Sequence, residues 1–261
     1  MDEESNMAAV SDIANTTSMR SLERSFEILD ILRRSRVPMR LTDISIESGI
    51  HLATTQRILS VMLHYGYVSQ ERYGYTVGVT SMINAYAFHM TNSLSQISLP
   101  VVQELAGASG FMSALSVRVD MAQVTILRIE GNEPARYLLP LGELTPLHLG
   151  GARVLAAALS PEDIKELMKD LPEFRLASGQ VVTRKDFIKN LEIIREHGFV
   201  YSVSERELGS ASVSVPVLSQ EGQVVASLQV FGRAADLDES KADWCVVELK
   251  RASSAITKRL P

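Results

Sequence analysis

A chain of 261 residues exceeds the usual range of about 100–200 for one domain, so a small domain joined to a larger one is the first expectation. Hydrophobic residues at 46% and charged residues at 22% exclude a disordered, fibrous or collagen-like chain and predict a soluble folded protein. The net charge of -5 argues against nucleic acid only until it is divided: residues 1–18 carry -4, residues 19–78 carry eight Arg against six acids, or +2, and the remainder carries -3.

Residues 1–18 are acidic, read as a disordered tail, and lack the basic-then-apolar pattern of a signal peptide. No run in the chain approaches the roughly 20 apolar residues that cross a bilayer, so a cytoplasmic protein with no membrane partner is expected. From Ser21, a predicted N-cap, SLERSFEILDILRR places Leu22, Phe26, Leu29 and Leu32 at three- and four-residue steps, the spacing of one helix face. After Pro38, Leu41–Ser48 reads as a short second helix stopped by Gly49. The segment HLATTQRILSVMLHYG predicts a third helix with Thr55, Leu59, Met62 and Ile58 inward and Thr54, Gln56, Arg57 and Ser60 outward. Two β-rich runs around the turn Glu71-Arg72-Tyr73-Gly74 predict a hairpin. Three short helices followed by a hairpin is the order of a winged helix-turn-helix over residues 19–78, in which the third helix enters the major groove of DNA.

Residues 79–92 read as a linker helix with Met82, Tyr86 and Met90 at four-residue steps. Either a seam between two subunits or a face packed on the chain's own second domain accounts for that stripe. Residues 93–261 then alternate helices (Leu94–Ser109, Gly151–Leu159, Pro161–Lys169, Arg184–His197, Glu239–Arg259) with strands (Met112–Val119, Gln123–Glu130, Ala135–Leu139, Phe199–Ser204, Ala211–Leu218, Gln223–Phe231). Hairpin-linked strands with helices between them predict an α+β domain around an antiparallel sheet. Cys245, the single cysteine, excludes an internal disulfide and a thiolate metal cluster; beside Trp244 in the last helix it reads as a small buried hydrophobe.

SLERSFEILDIL, LTDISIESGIHLATTQRIL, GYVSQERYGYTVG, PLGELTPLHLGGARVLAAAL and GFVYSVSERELGSASVSVPVLSQEGQVVASLQVFG occur in the order of the corresponding signatures of the IclR family of bacterial regulators, which the chain resembles from about Ser21 to Arg259. The resemblance implies a winged helix-turn-helix, a linker helix and a GAF-like effector domain, assembled as dimers or tetramers. Three departures stand out: Ala53-Thr54 where Ser-Thr is frequent, Arg153 where Lys is common in a segment one residue shorter than usual, and Ser212 in place of a cysteine.

On the third helix, Arg57 is expected to clamp a guanine edge or a phosphate, Thr54 to meet a phosphate or a thymine methyl, and Gln56 to pair with adenine, with Ser60 on the same face. Arg20, Arg24, Arg40 and Arg72 lie where phosphate contacts are expected, with Glu23 and Glu27 pairing among them. The plain alternative is a merely solvated helix face. In the second domain the resemblance carries an effector pocket onto Tyr137, Thr145, Gly150, Gly151, Ala152, Ser202, Ser210, Ser212, Gln229 and Phe231. Free backbone N–H groups at Gly150 and Gly151 would hold a carboxylate, and Tyr137 and Phe231 an aromatic ring, so a small organic or aromatic acid is the expected effector. The plain alternative is that the glycines ease packing and the serines bond backbone.

An enzyme needs motifs that the chain lacks: no Gly-x-Ser-x-Gly elbow, no His-Glu-x-x-His, no phosphate-cradling loop followed by Lys, and no His or Cys pair at metal spacing. No cofactor or metal is expected, and His148 reads as structural. A winged domain used to bind another protein would expose aromatics or leucines rather than Thr54, Gln56 and Arg57. The expected function is therefore a DNA-binding transcription regulator, a repressor in preference to an activator. It would bind double-stranded, near-palindromic operator DNA as a homodimer or dimer of dimers.

Overall fold

The computed structural model describes residues 19–132 and 139–261 and divides into two compact units, Met1–Met90 and Thr91–Pro261. The expected acidic tail and most of the expected strand Ala135–Leu139, Tyr137 included, lie outside the described residues.

In the first unit, helices α1 (Arg20–Arg34), α2 (Leu41–Ser48) and α3 (Leu52–His64) precede strands β1 (Val68–Glu71) and β2 (Gly74–Val77). Ile28 and Leu32 of α1, Ile44 of α2, Ile58, Leu59 and Met62 of α3 and Val68 of β1 form one buried cluster. The stripe expected on α1 is thus rotated. Leu22 and Phe26 stay 52% and 62% exposed, because Ile28, Ile31 and Leu32 supply a second apolar stripe that faces α2 and α3 instead. Ser21 is also not the N-cap; the helix begins at Arg20, and the Ser21 carbonyl accepts a hydrogen bond from Ser25 Oγ. The hairpin pairs Val68 with Val77 and Glu71 with Gly74, leaving Arg72-Tyr73 as its two-residue tip. Gly74 holds φ +151, and a Cβ there would lie 2.3 Å from the Met39 carbonyl oxygen, so only glycine lets the segment before α2 bridge to Tyr75. Helix α4 (Thr80–Thr91) follows and buries none of its residues.

The second unit opens with α5 (Ser93–Ser109), whose first turn is capped by the Asn92 side chain accepting from Ser95 N–H. Its antiparallel sheet has the order β5-β4-β3-β10-β9-β8, built from β3 (Met112–Val119), β4 (Ala122–Ile129), β5 (Leu144–Pro146), β8 (Val200–Val203), β9 (Ser210–Leu218) and β10 (Val224–Arg233). One face is apolar. Alternate residues Ala211, Val213, Val215 and Val217 of β9 and Ala226, Leu228 and Val230 of β10 pack with α5 and with α9 (Glu239–Thr257). Across the other face lie the 3-10 turn Gly150–Ala152 and α6 (Arg153–Ala157); a second core joins α6 to α7 (Pro161–Leu167) and α8 (Arg184–His197). The helix expected over Gly151–Leu159 is this turn plus a five-residue helix. Strand β5 and the small hairpin β6 (Glu173–Arg175) and β7 (Val181–Thr183) were not expected from the sequence. Three-residue strands are too short to carry a readable alternation.

Candidate DNA-binding face and ligand site

Helix α3 separates its residues by function. Thr55 is fully buried, with its hydroxyl donating to the Ile50 carbonyl at 3.2 Å, and with Ile58, Leu59 and Met62 it fixes the helix against the core. That anchoring turns Gln56, Arg57 and Ser60 outward to solvent, with Thr54 half-buried beside them. The four polar residues lie at helical spacing on one face, as base or phosphate readers must. Arg20 and Arg24 are exposed at the start of α1, Arg40 immediately precedes α2, and Arg72 sits at the hairpin tip with its guanidinium 5.4 Å from the Tyr73 ring centre. Among the described residues the ion pairs of this unit join Asp30 to Arg33 and Glu47 to Arg34; Glu23 and Glu27 do not pair with Arg20 or Arg24, contrary to expectation.

In the second unit, alternation puts hydroxyls and amides on the sheet face opposite the apolar core. A buried polar belt crosses all six strands: Thr145 on β5, Gln123 and Thr125 on β4, Ser116 on β3, Ser227 and Gln229 on β10, Ser212 and Ser214 on β9, and Ser202 on β8. Ser116 Oγ is 3.1 Å from Thr125 Oγ1 and accepts from Gln229 Nε2 at 3.2 Å; Ser202 and Ser212 hydroxyls are 2.9 Å apart. Gln123 Oε1, Thr145 Oγ1 and Ser214 Oγ are buried with no hydrogen-bond partner among the described residues, which leaves the belt with unused hydrogen-bonding capacity there.

The turn Gly150–Ala152 lies directly on this belt. A Cβ on Gly151 would meet Ser214 Oγ at 2.1 Å and Gln229 Oε1 at 2.7 Å, and Ser227 Oγ approaches the Gly151 carbonyl at 3.5 Å. Of the residues expected to form an effector pocket, Gly150, Gly151, Ala152, Ser202, Ser212 and Gln229 thus come together. Phe231 pairs across the strands with Ser212 and joins Met112, Ala114 and Leu139 in an apolar patch at the belt's border. Thr145 is at the far edge strand, paired with Gln123, and Ser210 turns its hydroxyl to the Glu207 carbonyl at 2.6 Å.

One expectation needs correction. The Gly150 N–H is not free: it donates to Glu205 Oε2 at 2.9 Å, while Glu205 Oε1 pairs with Arg153 Nη2. Arg153 also bonds Asn190 Oδ1 at 2.6 Å and the Gly150 carbonyl at 3.2 Å. Burial draws the Arg153 pKa down and Glu205 acts against that draw. Glu205 and Asn190 lie dozens of residues from Arg153, and no motif or spacing linked them. Ser214 and Ser116 were within reach of sequence reasoning, because SASVSV alternates serine with apolar residues as a half-polar strand does.

His148 stacks edge-on against Phe174 with centroids 4.7 Å apart, and burial, then Arg206, lowers its pKa below the usual value. Cys245 is buried and its thiol is pushed up to about 11, chiefly by burial. Neither is placed as a nucleophile. Among the described residues, no group of three or more His, Cys, Asp or Glu is arranged to hold a metal, and no helix is long and apolar enough to cross a membrane.

Known proteins agree with both units. Residues 21–72 match the IclR helix-turn-helix domain and residues 88–258 match the bacterial transcriptional regulator IclR C-terminal domain. The HTH-type transcriptional regulator XynR of Escherichia coli is 24% identical over 245 residues, covering 93% of this chain and 97% of its own. The HTH-type transcriptional repressor AllR of Salmonella paratyphi A is 29% identical over 226 residues, covering 85% and 82%. An IclR regulator structure from Alicyclobacillus acidocaldarius superposes with a TM-score of 0.82 at 18% identity over 93% of this chain and 99% of that one. An IclR homologue from Microbacterium hydrocarbonoxydans, in complex with 4-hydroxybenzoate, gives 0.77 at 20% identity over 92% and 98%. With a helix-turn-helix and an effector domain in the same order as these relatives, and both family domains spanning most of its length, the chain belongs to the IclR family of DNA-binding transcriptional regulators.

Proposed function

We propose that this regulator is a cytoplasmic repressor that binds near-palindromic operator DNA as a homodimer or dimer of dimers and is controlled by a small organic acid, an aromatic one first among candidates. The carrying observation is the division of α3 into a buried anchor and an outward face of Thr54, Gln56, Arg57 and Ser60. One such face reads too few bases to choose an operator, so two copies address half-sites about one DNA turn, roughly 34 Å, apart. Apolar surface suited to a second copy is available on α4, where Met82 and Tyr86 are 71% and 64% exposed, and in the groove of Leu22, Phe26, Val61 and Tyr65. The repressor reading rests on the AllR relative, and the acid reading on the Gly150 amide and Arg153, which already hold a carboxylate within the chain. Phe231 at the border of the belt suits a ring.

The test is binding to operator and to unrelated duplexes over a salt series. Arg57→Ala should remove the preference for operator, whereas Arg72→Ala should weaken all duplexes alike and lower the salt slope by about 1. Unchanged affinity and slope in both variants would refute the assignment. Thermal-shift screening against 4-hydroxybenzoate, benzoate and lactate, followed by operator release with each hit, tests the acid.

A further inference from the structure

The acid reading leaves a question that the geometry answers: the expected carboxylate position is already filled by the chain's own Glu205. We propose that Glu205 is an internal stand-in for the effector, and that a carboxylate effector binds by exchanging with it at the Gly150 N–H and the Arg153 guanidinium, unlatching the loop 204–209. This rests on the proposal that the effector is an acid.

Three observations carry it. The bonds that hold Glu205 are those that an exogenous carboxylate would make, one backbone N–H to Oε2 and one guanidinium to Oε1. Both side chains of the ion pair are only 11% exposed, and the neighbouring belt residues Ser202, Ser212, Ser214 and Gln229 are neutral. The remaining Arg153 donors are taken by Asn190 Oδ1 and the Gly150 carbonyl, and two carboxylates side by side repel, so an incoming acid that takes the Gly150 N–H and Arg153 Nη2 displaces Glu205 from them. Finally, the residue before Glu205 is strained. Ser204 is a non-glycine residue at φ +53, held there by Ser178 N–H donating to its carbonyl at 2.8 Å and Gly209 N–H donating to its hydroxyl at 2.9 Å. The tip beyond it is open to water, with Leu208 70% exposed, so a released Glu205 carboxylate can be solvated. The loop backbone stays tied by Ala177 N–H donating to the Glu205 carbonyl at 2.9 Å and Ala234 N–H donating to the Gly209 carbonyl at 2.8 Å, so the Glu205 side chain is the replaceable fastening, a two-state element that a ligand can bias.

The exchange makes carboxylate affinity depend on how firmly the loop is latched, since apparent affinity scales with the fraction of open sites. Glu205→Gln weakens the latch and leaves Arg153 seeking an anion; Ser204→Asn, which tolerates the left-handed backbone and still offers a side-chain oxygen to the Gly209 N–H that the Ser204 hydroxyl now accepts from, tightens it. Calorimetric titration of the full-length protein with 4-hydroxybenzoate and lactate, beside the uncharged 4-hydroxybenzamide and lactamide, reads the outcome. Glu205→Gln should bind the carboxylates at least about ten-fold more tightly than the unaltered protein and the amides with little change, and Ser204→Asn should bind the carboxylates more weakly. Carboxylate affinities equal in all three proteins would overturn the latch and leave the acid reading standing, and so would an equal gain for the amides. No carboxylate binding by any of the three would overturn both. Should Glu205→Gln fail to fold, the direction of change in Ser204→Asn decides.

Discussion

Replacing Gly151 with Ala drives one methyl group into the polar belt. Its Cβ would lie 2.1 Å from Ser214 Oγ and 3.1 Å from Ser214 Cβ, with Gln229 Oε1 at 2.7 Å. Because the turn is buried and followed at once by α6, it cannot retreat freely, so the overpacking should cost about 1–3 kcal/mol. At about 2–4 °C per kcal/mol for a unit of this size, the Tm of the effector domain should fall by about 2–12 °C. Ser214→Ala removes the nearest atom and also a buried hydroxyl with no partner among the described residues, so alone it should be neutral or slightly stabilising. Combined with Gly151→Ala it should restore more than half the loss, leaving Gln229, whose amide oxygen ends a flexible side chain, to adjust. Differential scanning calorimetry of the four proteins closes a double-mutant cycle, with a coupling of about 1 kcal/mol or more expected. Additive effects, or a Gly151→Ala protein as stable as the parent, would refute the close apposition of turn and belt.

Three further outcomes follow from the same structure. Gly74→Ala, which meets the Met39 backbone at 2.3 Å, should displace the wing and lower the Tm of the DNA-binding unit while leaving effector-domain unfolding in place, as two-transition calorimetry would show; a single unchanged profile would contradict it. Cys245 should resist iodoacetamide in the folded protein and react only after denaturation, since burial both covers the thiol and raises its pKa to about 11; rapid labelling of native protein, read by mass spectrometry, would contradict that. His148 has a lowered folded pKa, from burial first and Arg206 second, so the unfolded chain takes up its proton earlier as acid is added. Stability contributed by the neutral ring should be complete above the unfolded pKa of about 6.5 and decline as pH falls from there toward the folded pKa, and His148→Gln should flatten that slope in denaturant unfolding.

The DNA-binding unit was legible because its signals are local. The buried set Thr55, Ile58, Leu59 and Met62 and the outward set Gln56, Arg57 and Ser60 follow from a 3.6-residue period within one helix, and the hairpin from a turn between two β-rich runs. The rotated face of α1 escaped because that helix carries two apolar stripes, and only tertiary packing selects Ile28, Ile31 and Leu32 over Leu22 and Phe26. In the effector domain, strand alternation marks the serines of β9 as one face. Which strands neighbour one another, and hence that Thr145, Ser116 and Ser202 share a belt, depends on a sheet order that joins β3 to β10 across more than a hundred residues. The Glu205–Arg153–Gly150 contact is of the same long-range kind: a carboxylate 52 residues from its arginine leaves no periodic trace. That contact changed the site from a free amide turn to an occupied one.

The central claim is that paired α3 helices read an operator and that an acid releases them. Selection of bound sequences from a random duplex pool by the purified protein, repeated with 4-hydroxybenzoate, benzoate or lactate added, tests it most directly. The account predicts enrichment of a near-palindrome with half-site centres about 10 base pairs apart, lost in the Arg57→Ala protein and diminished by at least one of the acids. Retention of DNA without sequence enrichment, or the same enriched sequence from Arg57→Ala, would contradict it.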